Sequence, residues 1–221
     1  MTRLFLPLLL AGTTIVAVVA TSRAQNGTQS TQNAAQGSDQ FLDGIGETGL
    51  VARYLLNGNA EDSSRNQLHA TVRGTGGVFV DDSTQRQVLL LTGEGSHVQF
   101  PAGALAGEDA IAVVGWLYLP TRASGPVLDF GQGPATRLFA FVDAQGFRAS
   151  AVVDGQARGE TPARSVVENQ WIHFAVVLDP ASKVLTTYVD GMRAGQATNV
   201  TVTPAQLLPQ ASTTNRLFLG R

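Results

Sequence analysis

Acidic side chains are the first candidates for chemistry in this chain, and their spacing argues against catalysis. A carboxylate pair that cleaves glycosidic bonds with retention needs its two carboxyl groups about 5 Å apart, which one strand supplies as acids two or four positions apart. Here Asp81-Asp82, Glu108-Asp109, Asp143, Asp154, Asp179 and Asp190 fall instead in turn-forming stretches. Asp62 and Asn66, in the loop Glu61 to Asn66 (EDSSRN), are the best metal candidates. Calcium takes oxygens from carboxylates, amides and main-chain carbonyls gathered on a turn; the alternative is that Asp62 and Ser63 make Asx-type turn hydrogen bonds. His69, His97 and His173 show no His-x-His or His-x-x-x-His spacing, so a histidine metal centre would have to be assembled by the fold. His173 reads as a hydrogen-bonded core residue. Trp116 and Trp171 could stack on sugar rings, but both sit at alternating positions of apolar runs and read as core. Tyr54, Tyr118 and Tyr188 also fall in strand-like runs, where any could present a hydroxyl at a sheet face. There is no Gly-x-Ser-x-Gly elbow and no cysteine, and Gly131-Gln132-Gly133, with no helix after it, is a turn.

Strands and the turns between them must position these residues. Hydrophobic residues make up 43% and charged residues 14% of the 221, with 24 glycines and 9 prolines, a balance suited to short strands joined by tight turns. The spacing predicts strands near Leu50 to Leu56, Gln67 to Arg73, Val78 to Val80, Val88 to Leu91, His97 to Phe100, Ile111 to Leu119, Gly125 to Phe130, Leu138 to Asp143, Phe147 to Val153, Trp171 to Leu178, Val184 to Val189, Arg193 to Ala197 and Arg216 to Leu219. No window carries a helical stripe. Asp190-Gly191, between VLTTYV and MRAGQ, suits a two-residue type I′ hairpin; Asp154-Gly155 and the proline-initiated Asp179 to Lys183 mark further turns. In Ile111 to Leu119 and Trp171 to Leu178 both faces are largely apolar, which predicts strands covered on both sides.

The N-terminus reads as an export signal. Arg3 is a basic start, Leu4 to Ala20 an apolar run interrupted by Pro7 and Gly12, and Ser22-Arg23-Ala24 a small-x-small cleavage site, giving residues 1–24 as the signal peptide. A cut after Ala20 also satisfies the small-residue rule, and an uncleaved anchor is the remaining alternative, the run being about as long as the shortest bilayer spans. With the signal cleaved, no stable membrane insertion is expected, and the protein is placed as secreted, periplasmic or on the cell surface. Residues 25–47 are a polar, flexible linker beginning QNGTQSTQNAAQGSDQ, and residues 48–221 are the folded domain. Asn26 and Asn199 stand in glycosylation sequons, read as chance matches in a bacterial-style exported protein. Without cysteine, stability rests on the core or a metal. A net charge of −2 and no basic cluster make nucleic acid an unsuited partner.

Four blocks resemble the laminin-G-like, concanavalin-A-like lectin/glucanase superfamily. They are LVARYLLNGNAEDSSRNQLHATV (50–72), LLLTGEGSHVQFP (89–101), AIAVVGWLYLP (ending at Pro120) and NQWIHFAVVLDPASKVLTTYVDGMRAG (169–195). The resemblance spans about Leu50 to Arg221 and implies an all-β, antiparallel two-sheet jelly-roll sandwich. It also implies a structural calcium near Asp62 and Asn66, although Arg65 stands where the family usually has glycine. The superfamily's hydrolases carry Glu-x-Asp-x-x-Glu on one strand, and no such run exists here. Members usually continue past the segment here reading LFLGR into a final strand that pairs near the first; the sequence stops at Arg221, so the sandwich is expected to lack that strand. The function these features imply is non-catalytic recognition of a glycan or an extracytoplasmic protein, through loops at one rim or a concave face. The alternatives are an N-terminal accessory domain packed on a neighbouring domain of a larger hydrolase or surface protein, and a glycan hydrolase in its own right. The expected cofactor is none, or one structural calcium.

Overall fold

The computed structural model describes residues 8–10, 16–19, 49–82, 87–93, 95–120 and 124–221. Among the described residues, sixteen strands and one short helix follow in order: β1 Leu8–Leu10, β2 Val16–Val19, β3 Leu50–Tyr54, β4 Thr71–Arg73, β5 Gly77–Asp81, β6 Gln87–Leu91, β7 His97–Gln99, β8 Ile111–Tyr118, β9 Gly125–Gly133, β10 Thr136–Asp143, β11 Gly146–Val153, β12 Gln156–Glu160, β13 Trp171–Asp179, β14 Val184–Val189, β15 Met192–Thr198, α1 Pro204–Leu207 and β16 Arg216–Leu219. A nine-stranded sheet runs β15-β14-β13-β8-β1-β6-β5, with β2 pairing both β3 and β8; a seven-stranded sheet runs β12-β11-β10-β9-β16-β7-β4. The pairings are antiparallel, and the two sheets pack as the expected jelly-roll sandwich.

Alternation drives the packing. Ile111, Val113 and Leu117 of β8 and Ile172, Phe174, Val176 and Leu178 of β13 are sealed from solvent, as are Leu128 and Phe130 of β9, Leu138 and Ala140 of β10 and Phe147 of β11. The Phe147 and Phe174 rings meet edge-on at 5.8 Å, tying one sheet to the other. Burying such side chains stabilises by roughly 1.5–3 kcal/mol each. The turns follow the sequence: Asp190 and Gly191 both take positive φ (50° and 75°), as do Asp154 and Gly155 (52° and 74°), the type I′ pattern.

Five features depart from the sequence reading, the first being that Gly131-Gln132-Gly133, read as a turn, is the paired end of β9. The strand expected over Gln67 to Arg73 is only Thr71–Arg73, because Gln67 takes positive φ and the Leu68 amide bonds Asp62 instead of a ladder. Gln156–Glu160 adds an edge strand, although QARGE lacks apolar alternation. Pro204–Leu207 is a helical turn closed by a Thr203/Gln206 capping box. The two-sided covering expected for β8 and β13 is a correction: one face packs inward, while Trp116 on the other is 39% exposed. Alternation gives the parity of a strand and not which side its partner sheet covers.

The expected linker, 25–47, lies outside the described residues. Within the segment read as the signal peptide, β1 pairs with β6 (Leu8 opposite Leu91) and touches β8 (Leu9 opposite Tyr118), while β2 lies between β3 (Val16 opposite Tyr54) and β8 (Ala17 opposite Val114). Among the described residues no helix is long and apolar enough to cross a membrane.

Candidate functional site

The strand parity that buries Ile172 and Phe174 turns Trp171 and His173 outward, and the β8–β13 register sets Trp116 opposite His173 and Tyr118 opposite Trp171. The first pair meets edge-on with ring centroids 5.1 Å apart; the second is tilted at 5.4 Å. Two residues along a strand is about 7 Å, so the two rows form a small aromatic platform on the outer face of the nine-stranded sheet. Tyr188 of β14 extends it, lying opposite Ala175, and Arg193 of β15 lies opposite Tyr188. The Asp190-Gly191 turn fixes the middle of the platform: the His173 amide donates to Asp190 Oδ1 at 2.9 Å and the Asp190 amide donates to the His173 carbonyl at 2.7 Å. The core placement expected for Trp116 is therefore corrected, and with it that of His173, which is half-buried on this outer face; Trp171 is half-buried too. Flat apolar rings with an N–H or O–H at the edge suit the C–H faces and hydroxyls of a sugar.

Beyond this platform, between Leu119 and Glu168 on one side and Val142 and Asp143 on the other, opens a cleft of about 620 Å³. Asp143 at its mouth is held by Arg148, whose Nη2 lies 2.7 Å from Oδ2, and accepts the Gln145 amide at 2.8 Å. It organises a turn, as Asp179 does by accepting the Ala181 and Ser182 amides.

Asp62 and Asn66 do come together, on the loop beneath β3. Asp62 Oδ1 accepts the amides of Arg53 and Ser64, and Oδ2 accepts the Leu68 amide and the Ser64 hydroxyl, all at 2.8 Å. Asn66 Nδ2 donates to the carbonyls of Leu50 and Val51 at 3.1 and 2.9 Å. The residues fit a calcium ion poorly, since four protons converge on the carboxylate where a cation would need its lone pairs, and Asn66 donates to two carbonyls that could otherwise serve as ligands. The bond from the Ser64 amide is an Asx turn. Burial pushes the Asp62 carboxyl up, but the donors from Arg53, Ser64 and Leu68 outweigh it and hold the group below its usual range. Tyr54 beside it is buried, its hydroxyl donating to the Leu68 carbonyl, and burial followed by the Asp62 charge pushes the phenol well up. Among the described residues no three His, Asp or Glu side chains gather as a metal cluster. The three histidines lie apart: His69 on this loop accepts the Asp62 amide at Nδ1, His97 sits on β7 and His173 on the platform.

Residues 92–221, more than half the chain, match the family model of the concanavalin A-like lectin/glucanases superfamily. The chain belongs to this superfamily. The match leaves the Leu50–Val72 block of a concanavalin A-like domain outside it and covers the other three in whole or in part. No curated protein matches in sequence. Among solved structures, the chain is similar to domain 4 of AbnA, a GH43 extracellular arabinanase from Geobacillus stearothermophilus, solved with arabinotriose. The TM-score is 0.54 at 17% identity, over 76% of this chain and 82% of that one. At that identity the likeness is one of fold: a concanavalin A-like sandwich.

Proposed function

We propose that the chain is an exported, non-catalytic recognition module that binds a neutral glycan on the platform of Trp116, Tyr118, Trp171 and His173. The observation that carries this reading is the exposure of Trp116, 39% on an outer sheet face where a large apolar ring has no core to fill. The paired rings supply stacking surface, and the edge groups of Tyr118 and His173 supply hydrogen bonds that orient hydroxyls. Support from comparison comes from the similar arabinanase domain, which was solved with arabinotriose. Export rests on the basic start, apolar run and small-residue cut of residues 1–24.

Titrating the purified protein with arabino-oligosaccharides and other neutral polysaccharides, read by tryptophan fluorescence and affinity electrophoresis, tests the proposal. Saturable binding is expected, weakened about tenfold by Trp116→Ala, roughly the contribution of one stacked ring. Binding unchanged by that substitution, or no binding across the panel, overturns it. A second reading, an accessory domain packed against a catalytic neighbour, is favoured by the similar fold being domain 4 of a larger enzyme; co-purification with a hydrolase domain encoded in the same reading frame is the outcome that separates it.

A further inference from the structure

The outer face of the seven-stranded sheet carries different chemistry. Buried Leu138, Ala140 and Val142 turn Arg137, Phe139 and Phe141 of β10 outward. Phe139 and Phe141 stack at 5.0 Å, with the Arg137 guanidinium 4.1 Å from the Phe139 ring and that of Arg148 4.3 Å from Phe141. These two cations are compensated, Arg137 by Asp129 at 2.9 Å and Arg148 by Asp143. Towards the other end of the sheet the pattern repeats without ion pairs, the nearest acid in register, Asp129 opposite Phe218, being held by Arg137. Phe218 of β16 has the guanidiniums of Arg216 and Arg221 each 5.3 Å from its ring and His97 edge-on at 4.7 Å. Arg73 of β4 pairs in register with His97 and donates its Nε to Gln99 Oε1 at 3.1 Å. No carboxylate among the described residues lies within ion-pair distance of Arg73, Arg216 or Arg221.

Three uncompensated cations on one end of a face, in a chain of net charge −2, are a segregation of charge that folding does not require. Their closeness is felt by His97: burial first, then Arg221, Arg73 and Arg216, hold its imidazole below its usual range, against the Gly95 carbonyl that favours the proton. The Phe218 ring beside Arg216 and Arg221 and the Gln99 bond to Arg73 gather the three guanidiniums on one face, and planar guanidinium forks suit carboxylate or sulfate.

We propose that Arg73, Arg216 and Arg221 form a binding site for an acidic polysaccharide, its carboxylate or sulfate groups meeting guanidinium forks along the strand face. The site is separate from the aromatic platform, which lies on the other sheet. A polysaccharide fits better than a single-stranded nucleic acid, because Phe218 is buried under guanidiniums and offers no bare ring for a base. It fits better than a lipid surface, because none of the exposed large apolar residues Val78, Trp116, Val167 and Met192 lies on this face.

The test is affinity electrophoresis of the purified full chain in gels containing polygalacturonate, dextran sulfate or neutral dextran, at two ionic strengths. Retardation by at least one acidic polymer, none by dextran, and relief by salt are expected; which polymer retards decides between carboxylate and sulfate. Arg73→Gln with Arg216→Gln and Arg221→Gln should weaken retention about tenfold or more. An equal change of charge elsewhere, Arg158→Gln with Arg164→Gln and Lys183→Gln, should not. The pair Arg73→Gln and Arg221→Gln, both at exposed positions, gives the same reading should the triple variant fold poorly. The proposal is overturned by no retention, by an equal loss in the control triple, by tighter binding to anionic vesicles or single-stranded DNA, or by loss with Trp116→Ala, which would assign the ligand to the platform.

Discussion

Replacing Asp62 with asparagine keeps the side chain's shape but removes its charge and turns one acceptor into a donor facing the protons of Arg53, Ser64 and Leu68. The residue is 5% exposed, so the change should cost about 2–3 kcal/mol, the scale of hydrogen bonds to a charged group; urea unfolding of Asp62→Asn measures it. The pH dependence has a definite sign. The folded carboxyl titrates below its usual range, so the unfolded chain takes the proton first as pH falls. This stabilisation is complete above about pH 4 and is lost as acid carries the pH through the folded value. The donors that converge on the Asp62 carboxylate also predict that a chelator leaves the unfolding transition unchanged, and a midpoint lowered by chelation would return calcium to this loop. At this scale the sequence was legible in part. It singled out the Asp62 loop, and the Asx turn it offered as the alternative is among the bonds formed. It misjudged Trp116 because a tryptophan between valines and leucines has the same pattern whether or not a second sheet covers it. Arg73, Arg216 and Arg221 drew no attention because they are more than a hundred positions apart in part and meet only through the β4–β7–β16 pairing.

Among the elements, the β9–β10 hairpin shows how closely the strands constrain composition. A Cβ at Gly131 would lie 2.2 Å from the Thr136 carbonyl oxygen and 2.6 Å from Arg137 Cα, at the register shift where Arg137 rather than Thr136 faces it. Gly131→Ala should therefore destabilise by roughly 1–3 kcal/mol, and since Arg137 holds Asp129, it should also disturb that pair; thermal unfolding and the NMR shift of the Asp129 carboxyl report the two effects separately. The two Asp-Gly turns were readable because the turn chemistry states its own φ, and at Asp190-Gly191 the strands on both sides were readable with it. Gln156–Glu160 was not, since it has no buried face of its own and is a strand by virtue of pairing with β11. The helical turn at Pro204 was readable in principle, from a Thr-x-x-Gln capping box that is easy to pass over in four residues.

On the scale of the molecule, the all-β sandwich was legible from alternation and turns, and the family from its strand blocks. The order of strands inside each sheet was not, because long-range pairing leaves no local trace. The place of β1 and β2 beside β8 bears on how the protein is made. The apolar run that reads as an address for export is also the run that completes the ladder along Ile111–Tyr118. Deleting residues 1–24 should speed amide hydrogen exchange along that strand, while the β10–β11 hairpin of the seven-stranded sheet keeps its protection; equal exchange in both forms would mean the pairings contribute nothing. Under the proposed export, folding and processing would compete for the seven residues of β1 and β2. Were the proposed export signal cut away before folding, these pairings would never form, whereas a chain folded first would hold Leu8–Leu10 and Val16–Val19 in the sheet, so the order of the two events would decide which molecule results.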